Sequence, residues 1–570
     1  MRKSLAILLF SAAAAFNAGA STEWNVQGRK FNVDTLSHVE IGPGTTQTTL
    51  ALSGPADLRL FYTTTDLTNP NVGLKVIMGK DNLTSNVTVP DMPGSHTDPA
   101  NVYFAGVNSD FIGGMGPVGT TASNGILYKT YKNHGWYAFG VDANKKMYSG
   151  NTYSSLIFTC ADGSRSVIHA VNVPRSDNEM ILYTSKKGSS TGTGKNGVEI
   201  AAVAVDGGLK SDGATKMKIT GAPVENVGNM QIPANGFVLS ASGWIVKNLK
   251  KLKAGDIIEV TPTIRINDEI VIPEEVTGGC PMLLKDGSIL ETQGELDHLK
   301  DLHPRTAAGY SADGTKVVML VVDGRQPGVS VGVASKDLAA IMKNLGCADA
   351  INFDGGGSST LYVKELGVVN TPSEGGLRRV KDGLFLTAPA TSDNKIAKIR
   401  FADYKKVLKS NGYYTPVIYG YNSQGLLVNI NVNGFQLSCD KSLGEIQPDG
   451  VTLFGNGSGC HMLTATYQGL TASIAVTVGE QHGGVSEVVN DGISVYPNPA
   501  KQGENIHITA VNDNSQVRIY NAAGVQVYSG VVGNGGKSGV EVDTKDFVPG
   551  FYIIKILCNF KEKTTKIIIH

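Results

Sequence analysis

The spacing of apolar and polar residues is that of a chain built mostly from strands. Over residues 21–100 the two classes alternate between frequent turn residues, and 58–62 and 74–78 read as strands. Strand-turn segments follow at 102–112 and 167–173, with further strands at 179–183 and 198–205. Residues 317–322 are apolar at every position, which predicts a strand covered on both faces. One helix stands out. Leu338, Ile341, Met342 and Leu345 follow the i, i+3, i+4, i+7 spacing of a single helical face, with Ser335 as N-cap and Gly346 as the stop. Residues 350–354 then read as a short strand. Strand, loop, helix and strand in that order predict a βαβ-like unit inside a β-rich chain.

The pattern changes after Pro389. Residues 391–480 carry alternating strands at 428–432, 463–467 and 471–478, as expected of an Ig-like sandwich of about 90 residues. A polar, Gly-containing linker runs from 479 to 491, and a last β unit fills 491–570. A chain of 570 residues is too long for one core, which agrees with this division. The 69 glycines suit many short strands joined by tight turns, because glycine supplies the positive φ such turns need.

Lys+Arg and Asp+Glu are 50 each, so neither nucleic acid nor an anionic membrane is indicated as a bulk electrostatic partner. Arg2 and Lys3 precede a largely apolar stretch, 5–16, and the small residues Ala18-Gly19-Ala20. Residues 1–20 therefore read as a signal peptide. A membrane anchor is the competing reading, but the stretch falls short of the roughly 20 residues that span a bilayer. No cysteine follows the cleavage site, so a lipid anchor is not indicated, and no later apolar run is long enough to span. Export permits disulfides. None of Cys160, Cys280, Cys347, Cys439, Cys460 and Cys558 forms a C-x-x-C pair, which gives no support to a zinc ribbon or redox motif. Cys439 and Cys460 fall in one sandwich and are the candidates for a bridge; the alternative is that the cysteines are small buried hydrophobes.

The sharpest chemical motif is Asn352-Phe353-Asp354-Gly355-Gly356-Gly357-Ser358-Ser359-Thr360. It sets a carboxylate at a strand end, then three glycines whose backbone N–H groups can approach an anion, then three hydroxyls. No Lys follows in P-loop spacing. His303-Pro304-Arg305-Thr306 precedes the apolar strand, Asp323-Gly324-Arg325 ends it, and Val369-Asn370-Thr371-Pro372-Ser373 follows the Gly-rich loop. Two carboxylates at strand ends with arginines nearby suit a sugar joined to phosphate. Gly328-Val329-Ser330-Val331-Gly332 also fits the G-x-S-x-G pattern of a serine nucleophile, but the strand ends near Val322, several residues too early for such an elbow.

Taken in order, these segments resemble the phosphodiester glycosidase family, through its H-P-R-T, D-G-R, D-G-G-G-S and V-N-x-P-S elements. Upstream, Gly106–Phe111 is similar to the family's N-G-x-F segment and Asn172-Val173-Pro174-Arg175 to its N-x-x-R, while Thr191, Thr193 and Glu199 also match. The likeness covers roughly 50–387. Ser109 stands where the family usually has Gly, and Leu377-Arg378-Arg379-Val380 where it has E-R-P-V, so the pocket's shape is the least secure expectation. Residues 491–570, opening Ile493–Pro499, resemble the C-terminal sorting domain of the type IX secretion system of Bacteroidetes.

The resemblance implies an α+β protein, a β-rich catalytic domain over 21–390 followed by two all-β sandwich domains. It implies an exported hydrolase, extracellular or on the cell surface with the periplasm as alternative, that releases an N-acetylglucosamine-like sugar from its 1-phosphodiester. Its partners are then a phosphorylated glycan or sugar phosphodiester and, through the C-terminal domain, the secretion machinery. Asp354 is the leading base or nucleophile and Asp323 the second carboxylate. Arg305 and Arg175 are phosphate clamps, since guanidinium binds phosphate oxygens bidentately, and His303 is a further donor. Gly355, Gly356, Gly357 and Ser358 hold the diester. Asn108 and Asp110 contact sugar hydroxyls or order the loop. Thr191, Thr193, Glu199, Thr306, Arg325, Asn370 and Arg378 are further substrate-binding positions. No His/Cys metal pattern exists, although Asp110, Asp323 or Asp354 could bring oxygen ligands to Ca²⁺ or Mg²⁺. The rivals are a phosphodiesterase that cuts the P–O bond and a non-catalytic surface protein that binds glycan through 391–480.

Overall fold

A computed structural model describes residues 22–96, 98–132, 136–205, 207–290, 300–390, 394–479, 494–498, 500–509, 516–521, 526–531, 539–558 and 561–570. The proposed signal peptide and nearly all of the 479–491 linker lie outside the described residues. Among those described, the chain is β-rich and its two helices are short, Val246–Leu249 and Ser335–Asn344.

The site depends on two sheets packed face to face. A nine-stranded sheet holds, as neighbours near its centre, Leu58–Asp66, Lys316–Val322, Arg305–Tyr310 and Asp349–Asn352. A five-stranded sheet sets Asn101–Asn108 between Leu361–Val363 and Asp382–Pro389. The unbroken apolar run at 317–322 follows from this layering. Val317, Met319 and Val321 share a core with Phe104, Val107, Leu384 and Leu386 of the five-stranded sheet. Val318, Leu320 and Val322 point the other way, onto Leu338, Ile341 and Met342 of the long helix. Each such side chain, fully buried, contributes about 1.5–3 kcal/mol.

Lys316–Val322 and Asp349–Asn352 both pair antiparallel with Arg305–Tyr310, so they run parallel to each other with that strand between them. The helix is their crossover, which makes the unit βαβ-like with one strand intervening. Ser335 is the first helical residue rather than the N-cap. Ala334 takes the cap position, and the Ser335 hydroxyl is buried without a partner. Gly346, at φ +88°, ends the helix as expected.

Two strand predictions shift. Residues 167–173 divide into Arg165–Ile168 and Ala170–Val171, and the strand expected at 428–432 is Leu427–Asn429. There the Asn429 side chain accepts the Asn431 N–H at 2.8 Å, an Asx turn that draws the backbone out of the ladder. The disulfide candidate is corrected as well. Cys439 and Cys460 are free thiols. Cys439 stands opposite Leu463, three positions along the strand from Cys460, so the register keeps them apart. Cys558 has no described side chain.

Candidate active site

Asp354 lies at the seam between the two sheets. Its strand ends at Asn352, and Phe353 still donates its N–H to Thr306 O at 2.8 Å. The Asp354 N–H then crosses to the other sheet, to Ser109 O at 2.9 Å. Asn108, only 1% exposed, secures the crossing. Its Nδ2 donates to Asp354 O at 2.7 Å, while its Oδ1 accepts Thr306 Oγ1 at 2.9 Å and Thr360 N at 3.1 Å. One amide side chain therefore fixes both ends of the Gly-rich loop. That is the ordering role allowed for Asn108, and it uses the groups a sugar hydroxyl would need.

The loop has little room for anything but glycine. A Cβ at Gly355 would lie 2.9 Å from Pro304 O and 3.7 Å from Arg305 Cδ. Gly356 has φ +71°, and a Cβ there would meet Arg325 Nη2 at 3.0 Å. A Cβ at Gly357 would lie 2.0 Å from Glu374 Cδ. Asp354 Oδ1 accepts the Gly355 N–H at 2.9 Å, the Gly356 N–H bonds Pro304 O at 2.8 Å, and Ser358 Oγ donates to Gly355 O at 2.8 Å. The Ser358 amide closes the 3-10 turn Gly356–Ser358 onto Gly355 O, and among the described residues the Gly357 amide donates to no backbone acceptor.

Two guanidinium groups flank this turn. Arg305 is 3% exposed, with Nε donating to Val333 O at 3.1 Å and Nη2 to Asp301 O at 2.9 Å. Burial pulls its guanidinium down to about 10; Asp301 opposes the fall and Arg325 adds to it. Arg325 is exposed and held at φ +62°, with Nη1 3.4 Å from Ser373 Oγ and Nη2 3.4 Å from Nδ1 of half-buried His303. Arg378 is ion-paired with Glu374, the carboxylate that covers Gly357.

Asp323 does structural work. It is 2% exposed, and its oxygens accept Asn370 Nδ2 and Thr371 N, each at 3.0 Å. Asn370 also bonds Ser359 O and Leu361 N, so this pair ties the loop at 370–371 to the Gly-rich turn. Burial raises the Asp323 carboxyl in spite of those donors. Ser330 is fully buried, with its hydroxyl between Asp323 O and Arg59 N, which leaves no nucleophile at the G-x-S-x-G segment.

Arg175, Thr191, Thr193 and Glu199 form a separate cluster. Arg175 donates to Ser240 Oγ at 2.6 Å and Asn196 O at 2.6 Å, and more weakly to Gly194 O and Ala241 O at 3.3 Å. Thr193 Oγ1 bonds Glu199 Oε1 at 2.8 Å and Thr191 Oγ1 at 3.1 Å, while Glu199 Oε2 accepts Met230 N. These bonds brace the 191–199 loop, and among the described residues no hydrogen bond of this cluster reaches the Asp354 loop. Arg175 is thus a loop brace with its guanidinium committed, not a waiting phosphate clamp.

Asp110 is 1% exposed and accepts Phe111 N at 2.8 Å, Trp136 Nε1 at 3.0 Å and Gly119 N at 2.5 Å. Both its oxygens thus hold N–H donors, and those of Asp323 hold donors in the same way. Among the described residues no group of three or more His, Cys, Asp or Glu is placed to hold a metal ion.

Sequence reading missed Glu374 and Asp382. Asp382 had a signal: like Asp323 and Asp354 it precedes a glycine at a strand end. Glu374 had none, because its place over Gly357 depends on how the 371–380 loop folds back.

Comparison with known proteins agrees with the motifs. Residues 201–387 match the family model described as phosphodiester glycosidase, and residues 494–570 that of a secretion system C-terminal sorting domain. The first match includes Arg305, Asp323, Asp354 and Asn370 but not Asn108 or Asp110. The SPbeta prophage-derived uncharacterized protein YomE of Bacillus subtilis (strain 168) is 40% identical over 87 residues, which is 15% of this chain and 13% of that protein. A hypothetical protein from Synechocystis has a TM-score of 0.49 at 16% identity, over 60% of this chain and 62% of that one. The zebrafish N-acetylglucosamine-1-phosphodiester alpha-N-acetylglucosaminidase catalytic domain, auto-inhibited by its pro-peptide, has a TM-score of 0.31 at 14% identity, over 62% and 87%. The sorting domain directs the chain to the cell surface or extracellular space, and no described helix is long and apolar enough to cross a membrane.

Proposed function

We propose that the phosphodiester glycosidase domain of this chain hydrolyses a sugar 1-phosphodiester, N-acetylglucosamine-like, to free sugar and a phosphomonoester. The observation that carries this reading is the surround of Asp354: a half-buried carboxylate at the head of a Gly-rich turn whose Gly357 amide has no backbone acceptor among the described residues, between Arg305 and Arg325. Cleavage at the anomeric carbon expels a phosphate monoester, already a weak base, so a strong general acid is less necessary than in ordinary glycoside hydrolysis. The site's tasks are to bind an anion, to stabilise positive charge at the anomeric carbon and to place a nucleophile.

In this scheme the Gly357 amide and the exposed Arg325 grip the diester. Buried Arg305 supplies fixed positive charge beneath it, and His303 orients Arg325. Asp354 acts as base or nucleophile. When the reaction is complete, water oxygen is bonded to the anomeric carbon and the broken C–O electron pair has left with the phosphate. The water's protons are shared between the sugar hydroxyl and, by way of Asp354, the solvent.

The test is incubation of the full chain with an N-acetylglucosamine 1-phosphodiester in water carrying the heavy oxygen isotope. Free sugar with the isotope at its anomeric position is expected. Isotope in the phosphate instead would assign P–O cleavage, the rival that the same anion cradle also serves.

A further inference from the structure

Beneath Asp354 lies a group of buried acids that has no part in the scheme above. Asp110 and Asp382 are 1% and 0% exposed. Asp110 faces N–H donors with both oxygens. Asp382 does not: its Oδ2 accepts Thr277 Oγ1 at 2.7 Å, but its Oδ1 is buried without a hydrogen-bond partner. A bare buried carboxylate oxygen is costly, and a proton on that oxygen removes much of the cost.

The same acid is wired to Asp354. Thr277 Oγ1 also lies 3.1 Å from Ser109 Oγ. The hydroxyls of Thr277 and Ser109 thus both serve the Asp382 carboxyl. The Ser109 backbone spans the two acids, its N–H on Asp382 O at 3.3 Å and its carbonyl under the Asp354 N–H at 2.9 Å. Ser109, the residue that departs from the family's usual glycine, supplies one of these hydroxyls.

The charged and titratable groups around the pair are few. Asp354 repels Asp382 from above, and Asp110 stands beside it. Lys129, 6% exposed and donating to Pro117 O, faces both acids. Cys280 and Tyr131 lie on the side of Asp110. Burial, and then mutual repulsion, raises the Asp110 carboxyl to about 7, and burial raises that of Asp382 to about 6. Two adjacent buried carboxylates that share one lysine cannot both ionise cheaply.

We infer that Asp382 is a positioning residue that shares one proton with Asp110 near neutral pH, its bare Oδ1 being the oxygen placed to take it, so that the pair and Lys129 balance and the floor beneath Asp354 carries no net charge. Loss of that proton on going to alkaline pH adds negative charge under the anion cradle and weakens its hold on an anionic ester. The consequence for the ester rests on the function proposed above; the protonation state does not.

Two measurements on the full chain test it. The first is the infrared spectrum in the region of protonated carboxylic acids, which needs no substrate. Near neutral pH the wild type should show a buried acid band that Asp382→Asn removes and that fades in mildly alkaline buffer. Glu275 and Asp323, buried acids outside the pair whose carboxyls are also raised, keep their own contributions in that variant. The second is KM against pH. For the wild type it should rise about fivefold across the ionisation of Asp382, equivalent to about 1 kcal/mol, with a smaller change in kcat, and in Asp382→Asn it should stay flat. An acid band unchanged by Asp382→Asn, or a KM profile that still rises in that variant, overturns the inference. Should Asp382→Asn not fold, Ser109→Ala removes one of the two hydroxyls that serve Asp382 and must shift the frequency of the band; an unshifted band overturns it equally. A band present without any sugar release would leave the inference standing and sink the proposed reaction.

Discussion

Asp323 and Asp354 both precede a glycine at the end of a strand, yet their surroundings divide their work. Asp323 spends its oxygens on Asn370 and the Thr371 amide, whereas Asp354 spends one on the next amide and sits half-buried beside Arg325. Asp323→Asn should therefore act through the 370–371 loop. It places an amide where an N–H donor now bonds, at a cost of about 1–3 kcal/mol, which urea denaturation of the full chain would register as a lower midpoint. Arg325→Ala should raise KM for an anionic diester about tenfold with little change in kcat. Arg325→Lys should recover only part of this, because an ammonium cannot grip two phosphate oxygens with a fixed fork. Steady-state kinetics at two salt concentrations would check both. At this scale the sequence was legible in the placing of a contiguous motif, as where Asp354 follows a strand end and heads the Gly-rich turn. It was misleading for Arg175, whose partners are carbonyls and a hydroxyl at 194, 196, 240 and 241, brought together only by folding.

Elements were legible where burial forces a period. The long helix and the run at 317–322 could be read because each presents whole faces to a core. The helix start was misplaced by one residue, since Ser335 points inward and caps nothing. The strand at 427–429 was overrun because a side-chain turn, not the apolar pattern, ends it. Leu338, fully buried on the nine-stranded sheet, is the point at which to test the crossover. Leu338→Ala should cost about 2–5 kcal/mol. Gly346→Ala, at φ +88°, should cost about 1–2 kcal/mol. Equilibrium unfolding would rank the two.

Across the whole molecule, buried acids couple the fold to pH. Asp110 and Glu275 are each raised to about 7, first by burial; Asp382 adds to the rise of Asp110 while Lys75 opposes that of Glu275. A carboxyl whose affinity for protons is higher folded than unfolded contributes its stability at low pH and loses it as pH climbs through the folded value. The phosphodiester glycosidase domain should therefore melt at progressively lower temperature between about pH 4 and pH 7, and Asp382→Asn should flatten part of that slope, as calorimetry can show. The segment that matches the sorting domain, 494–570, makes a separate prediction at this scale: a chain ending before it should stay inside the cell envelope, as fractionation and blotting would reveal. The sequence outlined this β-rich architecture because composition and periodicity are global properties. The seam where Asp354 leaves one sheet for the other was hidden, because it depends on contacts more than two hundred residues apart.

The most direct test of Asp354 at an anion-binding turn is sugar release by Asp354→Asn. With an N-acetylglucosamine 1-phosphodiester, the variant should bind phosphomonoester product as the wild type does and melt within a few degrees of it, while its turnover falls at least about a hundredfold. Turnover close to the wild-type rate, in a variant shown to be folded, would contradict the account.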